Sequence, residues 1–301
     1  MLSADEIETY HAEGLTIPSA FSLPSEVVEV LRDAVDKVVT LNPYTPSDHL
    51  INVHLDRAPP FDLHGDPVFG ALVTAPAILD MVKQLIGSDI ILWTTHLFCK
   101  QAGTGREVPW HQDGHYWPIR PLATCTAWVA LDDTNRDNGA LRYIPGSHKM
   151  GTFEHHPDMD PQLTLHQVVD NTNFDPATKK YVEMKAGQLS LHDVHILHGS
   201  TANTSGAESL AWVAIFAFAP ISAVYYPVET LPEWLQIVAW CTPSAYVFEG
   251  MRSVFIDDVF RTDLLLGAIG VNLVYLAIGA GLFAWSFTAA REHGRLLQIG
   301  E

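Results

Sequence analysis

The chain has 301 residues, 48% of them hydrophobic, enough to bury one large core or two smaller ones. A formal charge of -18 gives a surface that repels phosphate backbones and argues against a nucleic-acid partner. Cys99, Cys125 and Cys241 form no CxxC pair, and the acidic segment Met1–Tyr10 carries no signal pattern, so the expected location is the cytoplasm.

Ser3 with Glu6 predicts a capping box opening a short helix. Ser25 predicts the cap of a second helix, because Val27, Val28, Leu31, Val35 and Val38 recur at helical spacing. Ala77–Leu85, between Pro76 and Gly87, predicts a third. These helices are expected on the outside of a sheet. From residue 90 the pattern changes to short apolar or alternating runs: Ile90–Cys99, Thr124–Leu131, Ala140–Ile144, Gln188–Leu191 and Ala211–Phe218. Gly103, Gly105, Asn138-Gly139 and Pro145-Gly146 punctuate them. Such strands predict a mainly β sandwich or open barrel of the jelly-roll kind with flanking helices. Residues 149–180 are polar and predict an insertion near its mouth.

Of the 15 histidines, 14 precede residue 209, so metal or acid–base chemistry belongs to the first two-thirds of the chain. In Trp110-His111-Gln112-Asp113-Gly114-His115, positions two apart on a strand face the same side, which brings His111 and Asp113 together with His115 one step further on. Imidazole and carboxylate are two of the three ligands of a facial triad that leaves open positions on Fe(II). The third ligand must come from a distant strand. Residues 187–200 offer His192, His195 and His198, among which spacing does not choose.

Val108-Pro-Trp-His-Gln-Asp113, Thr126-Ala-Trp-Val-Ala-Leu-Asp-Asp133, Asn138-Gly-Ala-Leu141, Ile144-Pro-Gly-Ser-His148 and Leu197-His-Gly-Ser200 follow in order. Over residues 5–208 this resembles the phytanoyl-CoA dioxygenase family. The resemblance implies a double-stranded β-helix, Fe(II) held by His111, Asp113 and His198, and 2-oxoglutarate lined by Trp128 and Ser200. It also matches Lys100 to a basic position that contacts the co-substrate. It implies hydroxylation of a small organic substrate by O2, and a carboxylate at Asp113 disfavours halogenation. Asn138-Gly139 and Pro145-Gly146 are read as shaping turns.

The chain departs from the family where an Arg is expected to pair with the far carboxylate of 2-oxoglutarate. Ser209 stands there, beside Glu208. Ala219–Val228, Leu231–Leu235, Pro243–Arg252 and Arg291–Gly300 resemble instead the C-terminal end of an ABC-type export permease. The expected division is therefore 1–208, an oxygenase domain whose last core strand is lost or replaced, and 209–301, a membrane segment. A fusion near Ser209 is the favoured origin; the alternatives are a membrane-tethered oxygenase and a permease fragment with incidental cargo.

Leu264–Ala290 runs 27 residues without a charge, more than the ~20 a spanning helix needs. Leu210–Tyr226, broken by Pro220, predicts a final barrel strand or the end of another span. Trp234, Trp240 and Tyr246 suit an interfacial segment, and the Arg residues after the span predict a cytoplasmic C-terminus.

Overall fold

The computed structural model describes residues 1–56, 63–117, 122–218, 227–231 and 233–292. The chain divides into two units, Met1–Ala219 and Pro220–Glu301. The expected end of one membrane segment at 219–226 and the expected cytoplasmic tail at 293–301 lie outside the described residues.

The first unit opens with α1 (Ala4–Glu13) and β1 (Leu15–Thr16). The capping box forms as predicted: Ser3 Oγ accepts from the Glu6 amide, and the Glu6 carboxylate accepts from the Ser3 amide. Next come α2 (Ser25–Leu41), β2 (Leu50–Ile51), α3 (Pro67–Val73) and α4 (Pro76–Ile86). Ser25 is not the cap it was expected to be. Pro24 holds that position, and its fixed φ starts the helix without a side-chain hydrogen bond.

The strands are β3 (Ile90–Lys100), β4 (Val108–His111), β5 (Thr124–Ala130) and β6 (Leu141–Tyr143), then β7 (His156–Pro157), β8 (Gln167–Val168) and β9 (Lys180–Tyr181), and finally β10 (Leu189–Asp193), β11 (His198–Ser200) and β12 (Ser209–Phe218). A six-stranded sheet runs β1-β10-β5-β12-β3-β2, a four-stranded sheet runs β4-β11-β6-β9, and β7-β8 form a small pair. The pairings among these strands are antiparallel. The expected insertion at 149–180 therefore contributes three short strands.

Alternation makes the large sheet two-faced. Leu97, Cys99, Cys125, Ala127, Val129, Leu189, Leu191, Trp212, Ala214 and Phe216 share one buried cluster with Leu31, Val35 and Val38 of α2, Phe69 of α3, and Ile78 and Met81 of α4. The helices cover that face, as the sequence predicts. The intervening residues His96, Phe98, Lys100, Thr126, Trp128, His192, Ala211 and Val213 line a cavity on the opposite face. Side-chain period alone thus separates core from site.

The expected boundary at 208/209 is wrong in one respect. Ser209–Phe218 is an interior strand of the large sheet, paired with β3 from Ser209↔Lys100 to Phe218↔Ile90 and with β5 from Ala211↔Ala130 to Ala217↔Thr124. Its apolar alternation buries Trp212 and Phe216 on the helix side and Ala211, Val213 and Ile215 on the cavity side. The position where a strand was expected to be lost or replaced is occupied by Ser209–Phe218, and the first unit extends to Ala219.

The second unit contains α5 (Glu233–Trp240), α6 (Pro243–Asp257) and α7 (Thr262–Glu292). Trp240 and Tyr246 meet edge to face at 4.8 Å. Gly267 allows α7 to approach α6, since a Cβ there would lie 2.4 Å from the Tyr246 ring. Thr262–Ala289 is long and apolar enough to cross a membrane, and its side chains are almost wholly uncovered. Beyond Asp263 in its first turn, the one strongly polar side chain of this stretch, Asn272, donates to the Ala268 carbonyl at 2.9 Å, so the polar group is satisfied within the helix.

Candidate functional site

β4 and β11 are neighbours in the small sheet, and their register sets His111 directly opposite His198. Gly199 allows this approach: a Cβ there would stand 2.7 Å from the Val108 carbonyl and 2.8 Å from that of Pro109. The two imidazole centroids lie 4.2 Å apart. Asp113 reaches the same point by a different route from the one expected. The strand ends at His111, and Asp113 opens a 3-10 turn, Asp113–His115. The turn still aims its carboxylate inward, with Oδ1 at 3.5 Å from His111 Nε2 and 3.7 Å from His198 Nε2. One donor atom from each of the three residues falls within 4.8 Å of the others.

The hydrogen bonds around these rings fix their tautomers. His111 Nδ1 faces the Pro109 carbonyl at 2.9 Å, and His198 Nδ1 faces the Ile196 carbonyl at 3.0 Å. A carbonyl only accepts, so each Nδ1 carries the proton and each Nε2 presents a bare lone pair inward. Burial, reinforced by the neighbouring His111, pushes His198 down to about 3, so its ring is neutral at physiological pH. Burial pushes Asp113 up, but the surrounding His198, His111 and His192 outweigh it and hold the carboxyl well below its usual range. Two imidazoles and one carboxylate therefore converge, a donor set suited to a divalent first-row ion. Thr126 Oγ1 donates to Asp113 Oδ2 at 3.1 Å, which leaves Oδ1 turned toward the histidines.

Sequence left three histidines open at the distal position, and the geometry separates them. His195 bonds locally instead: its Nδ1 lies 3.4 Å from Asp193 Oδ1. His192 sits on β10 with Nε2 at 3.8 Å from Asp113 Oδ2, and neither ring nitrogen has a hydrogen-bond partner. His115, expected one step further along the shared face, is swung by the 3-10 turn onto His155, with ring centroids 3.9 Å apart.

The cavity beside the triad has a volume of about 460 Å³. Trp128 and Ser200 line it, as does Lys100. Lys100 is buried, and its ammonium donates to Ser200 Oγ at 2.7 Å and to the Thr201 carbonyl at 2.5 Å. Its stem passes over Gly139, where a Cβ would meet Lys100 Cδ at 2.9 Å, so the turn at Asn138-Gly139 also makes room for this lysine. Burial lowers Lys100 to about 7, with Glu107 pulling the other way. Arg142 is nearby but engaged, donating to Glu107 Oε1 at 2.6 Å and stacking over Trp110. Sequence reasoning did not single out Thr126 or His96, although the alternation of His96, Phe98 and Lys100 along β3 carried the signal for the latter.

Residues 3–209 match the family model described as phytanoyl-CoA dioxygenase (PhyH). The peroxisomal phytanoyl-CoA dioxygenase of Mus musculus is 26% identical over 277 residues, covering 89% of this chain and 78% of that protein. A probable phytanoyl-CoA dioxygenase of Caenorhabditis elegans is 33% identical over 153 residues, and the match spans about half of each protein, 47% of this chain and 48% of the relative. Among solved structures, the apo form of the non-heme monooxygenase ThoJ superposes with a TM-score of 0.59 at 25% identity, covering 71% of this chain and 77% of that one. EvdO2 from Micromonospora carbonacea var. aurantiaca, complexed with 2-oxoglutarate, has the same fold, with a TM-score of 0.59 at 19% identity over 73% of this chain and 92% of that one.

Proposed function

Because the chain belongs to the phytanoyl-CoA dioxygenase family, we propose that it is a non-haem Fe(II)- and 2-oxoglutarate-dependent oxygenase that hydroxylates a small organic substrate. The observation that carries this reading is the convergence of one carboxylate and two carbonyl-fixed imidazoles within 4.8 Å. His111, Asp113 and His198 would hold the metal on one face. Bound Fe(II) and 2-oxoglutarate supply O2-dependent C–H oxidation, coupled to decarboxylation of the co-substrate to succinate. The protein's own residues orient and exclude. Thr126 fixes the Asp113 carboxylate, Trp128 walls the cavity, and the two sheets keep the reacting centre out of bulk water. Anaerobic addition of Fe(II) and 2-oxoglutarate together should produce a visible charge-transfer band that neither gives alone. A colourless mixture in which both bind separately would sink the proposal.

For 2-oxoglutarate, Lys100 and Ser200 supply the contacts to the far carboxylate. Ser209, at the family's Arg position, faces Lys100 directly across the β3–β12 pair, so the lysine reaches the place the missing guanidinium would serve. Replacing Lys100 with Met should weaken 2-oxoglutarate binding by tenfold or more, in line with the roughly 2–5 kcal/mol lost when a buried charge pair is broken. The sign of the pH effect follows from the lowered lysine. Below about 7 the ammonium is present and binding is strongest. Above it, each pH unit costs about tenfold, because the carboxylate must first recharge the amine. Calorimetric titration from pH 6 to 9 should show this decline in the native chain and a flat profile in Lys100→Met. A decline of equal slope in the variant would remove Lys100 from the site.

For the second unit, α7 supports a membrane anchor. After alkaline carbonate washing the chain should stay with the membrane pellet, and release into the supernatant would argue against a span. With α7 as the one span among the described residues, its flanks lie on opposite sides, so a cytoplasmic catalytic unit and a cytoplasmic C-terminus exclude each other. The free thiols Cys99 and Cys125 and the need for Fe(II) favour the catalytic unit on the cytoplasmic side. The export-permease likeness, read over residues 209–301, would make this anchor the remnant of a larger membrane domain.

A further inference from the structure

The cavity is larger than the metal and co-substrate contacts described above account for, and its remaining wall has a definite chemistry. On β3, His96 alternates with Thr94 and Phe98, so all three face inward. The His96 ring stacks on Phe98 with centroids 4.0 Å apart and meets His49 edge-on at 5.6 Å. Its Nε2 is buried and has no hydrogen-bond partner. An orphaned buried nitrogen costs free energy unless something completes it. Burial drives this ring down to about 4, so it is neutral at physiological pH, and a neutral imidazole fixed against its neighbours offers one acceptor.

The charge inventory narrows the choice further. Histidines aside, Lys100 and Asp113 are the charged side chains among the described residues lining the cavity. On the reading above, one serves the co-substrate and the other the metal. No described cation is left to neutralise a second anion, and an unpaired anion buried here would pay a large desolvation cost. Trp93, Phe98 and Tyr116 add flat apolar surface.

We infer that the β3 half of the cavity binds the primary substrate as an uncharged, ring-containing molecule that donates a hydroxyl or N–H hydrogen to His96 Nε2. This rests on the oxygenase reading, which assigns Lys100 and Asp113 elsewhere. Acyl groups bearing phosphate or carboxylate inside the cavity are disfavoured on the same argument.

The test is calorimetric binding to the full chain in lipid nanodiscs with 2-oxoglutarate present, using three probes: indole, which only donates; 1-methylindole, which does not; and indole-2-carboxylate, which is anionic. Titrations into empty nanodiscs provide the partition blank. Indole should bind about tenfold tighter than either analogue. His96→Leu should erase the difference between indole and 1-methylindole, whereas His96→Gln, which keeps an acceptor, should retain most of it. His96→Phe serves as a second acceptor-free variant if the leucine form does not fold. Equal or tighter binding of the carboxylate would overturn the substrate class. An indole preference that survives in both acceptor-free variants would overturn the role of His96. If 2-oxoglutarate binds but none of the three probes does, the inference also fails. Absence of 2-oxoglutarate binding in the same preparation would bring down the oxygenase reading itself, and this inference with it.

Discussion

Asp113→Ala should abolish stoichiometric Fe(II) binding and cut 2-oxoglutarate turnover by more than about 100-fold, beyond the 10–100-fold usually lost on changing a group behind a metal ligand. The carboxylate is the one anionic donor in the cluster, and Oδ1 is the atom both imidazoles approach. The contrast variants grade the claim. Thr126→Val keeps all three ligands but frees Oδ2, so it should fall within the 10–100-fold range. His195→Ala should change little, because that ring is bonded to Asp193 away from the cluster. Thermal unfolding separates metal loss from misfolding. Metal at 100 times its Kd stabilises a native site by about 2.7 kcal/mol, and Asp113→Ala should show none of that increment while unfolding cooperatively without metal. Retained metal binding in Asp113→Ala, or its loss in His195→Ala with retention in His198→Ala, would dismantle the triad.

The parts of this site that sequence made legible are those governed by side-chain period and by ordered motifs. Alternation along Thr124–Leu131 and Ala211–Phe218 separated the helix-covered face from the cavity face, and the observed strands follow it within a residue or two. The His111 and Asp113 pair was legible, but for a reason that only half applies. Strand alternation does not reach Asp113, and the 3-10 turn does the aiming. The same turn explains why His115, nominally on the shared face, stacks on His155 instead. The choice among His192, His195 and His198 was beyond spacing because a turn interrupts the segment after Asp193, and periodicity does not carry across a turn. Nor does local sequence reveal that Ser209 faces Lys100, since registers between strands more than a hundred residues apart are set by the whole sheet.

Truncation should place the domain boundary decisively. A chain ending at residue 208 should fail to fold, while one ending at 219 should retain the cooperative unfolding of the first unit. β12 is flanked on both sides, by β3 and by β5, so its removal leaves two facing strand edges without their backbone partners in the middle of a sheet. It also strips the helix-covered core of Trp212 and Phe216, which are 0% and 2% exposed. Loss of a single buried Trp or Phe side chain costs about 3–5 kcal/mol, and a domain of this kind is stable by only about 5–15 kcal/mol. Two such losses, about 6–10 kcal/mol, consume most of a typical margin, and the unpaired backbone adds to them. Circular dichroism and urea unfolding of the two truncations would decide the matter: a cooperative transition in the 208-residue chain would mean that β12 is an ornament on a complete oxygenase core. The expected collapse would mean that residues beyond the family match have been taken into the sheet as its interior strand. Selection for a folded catalytic unit would then act on Ser209–Phe218, whatever the origin of the segment that follows it.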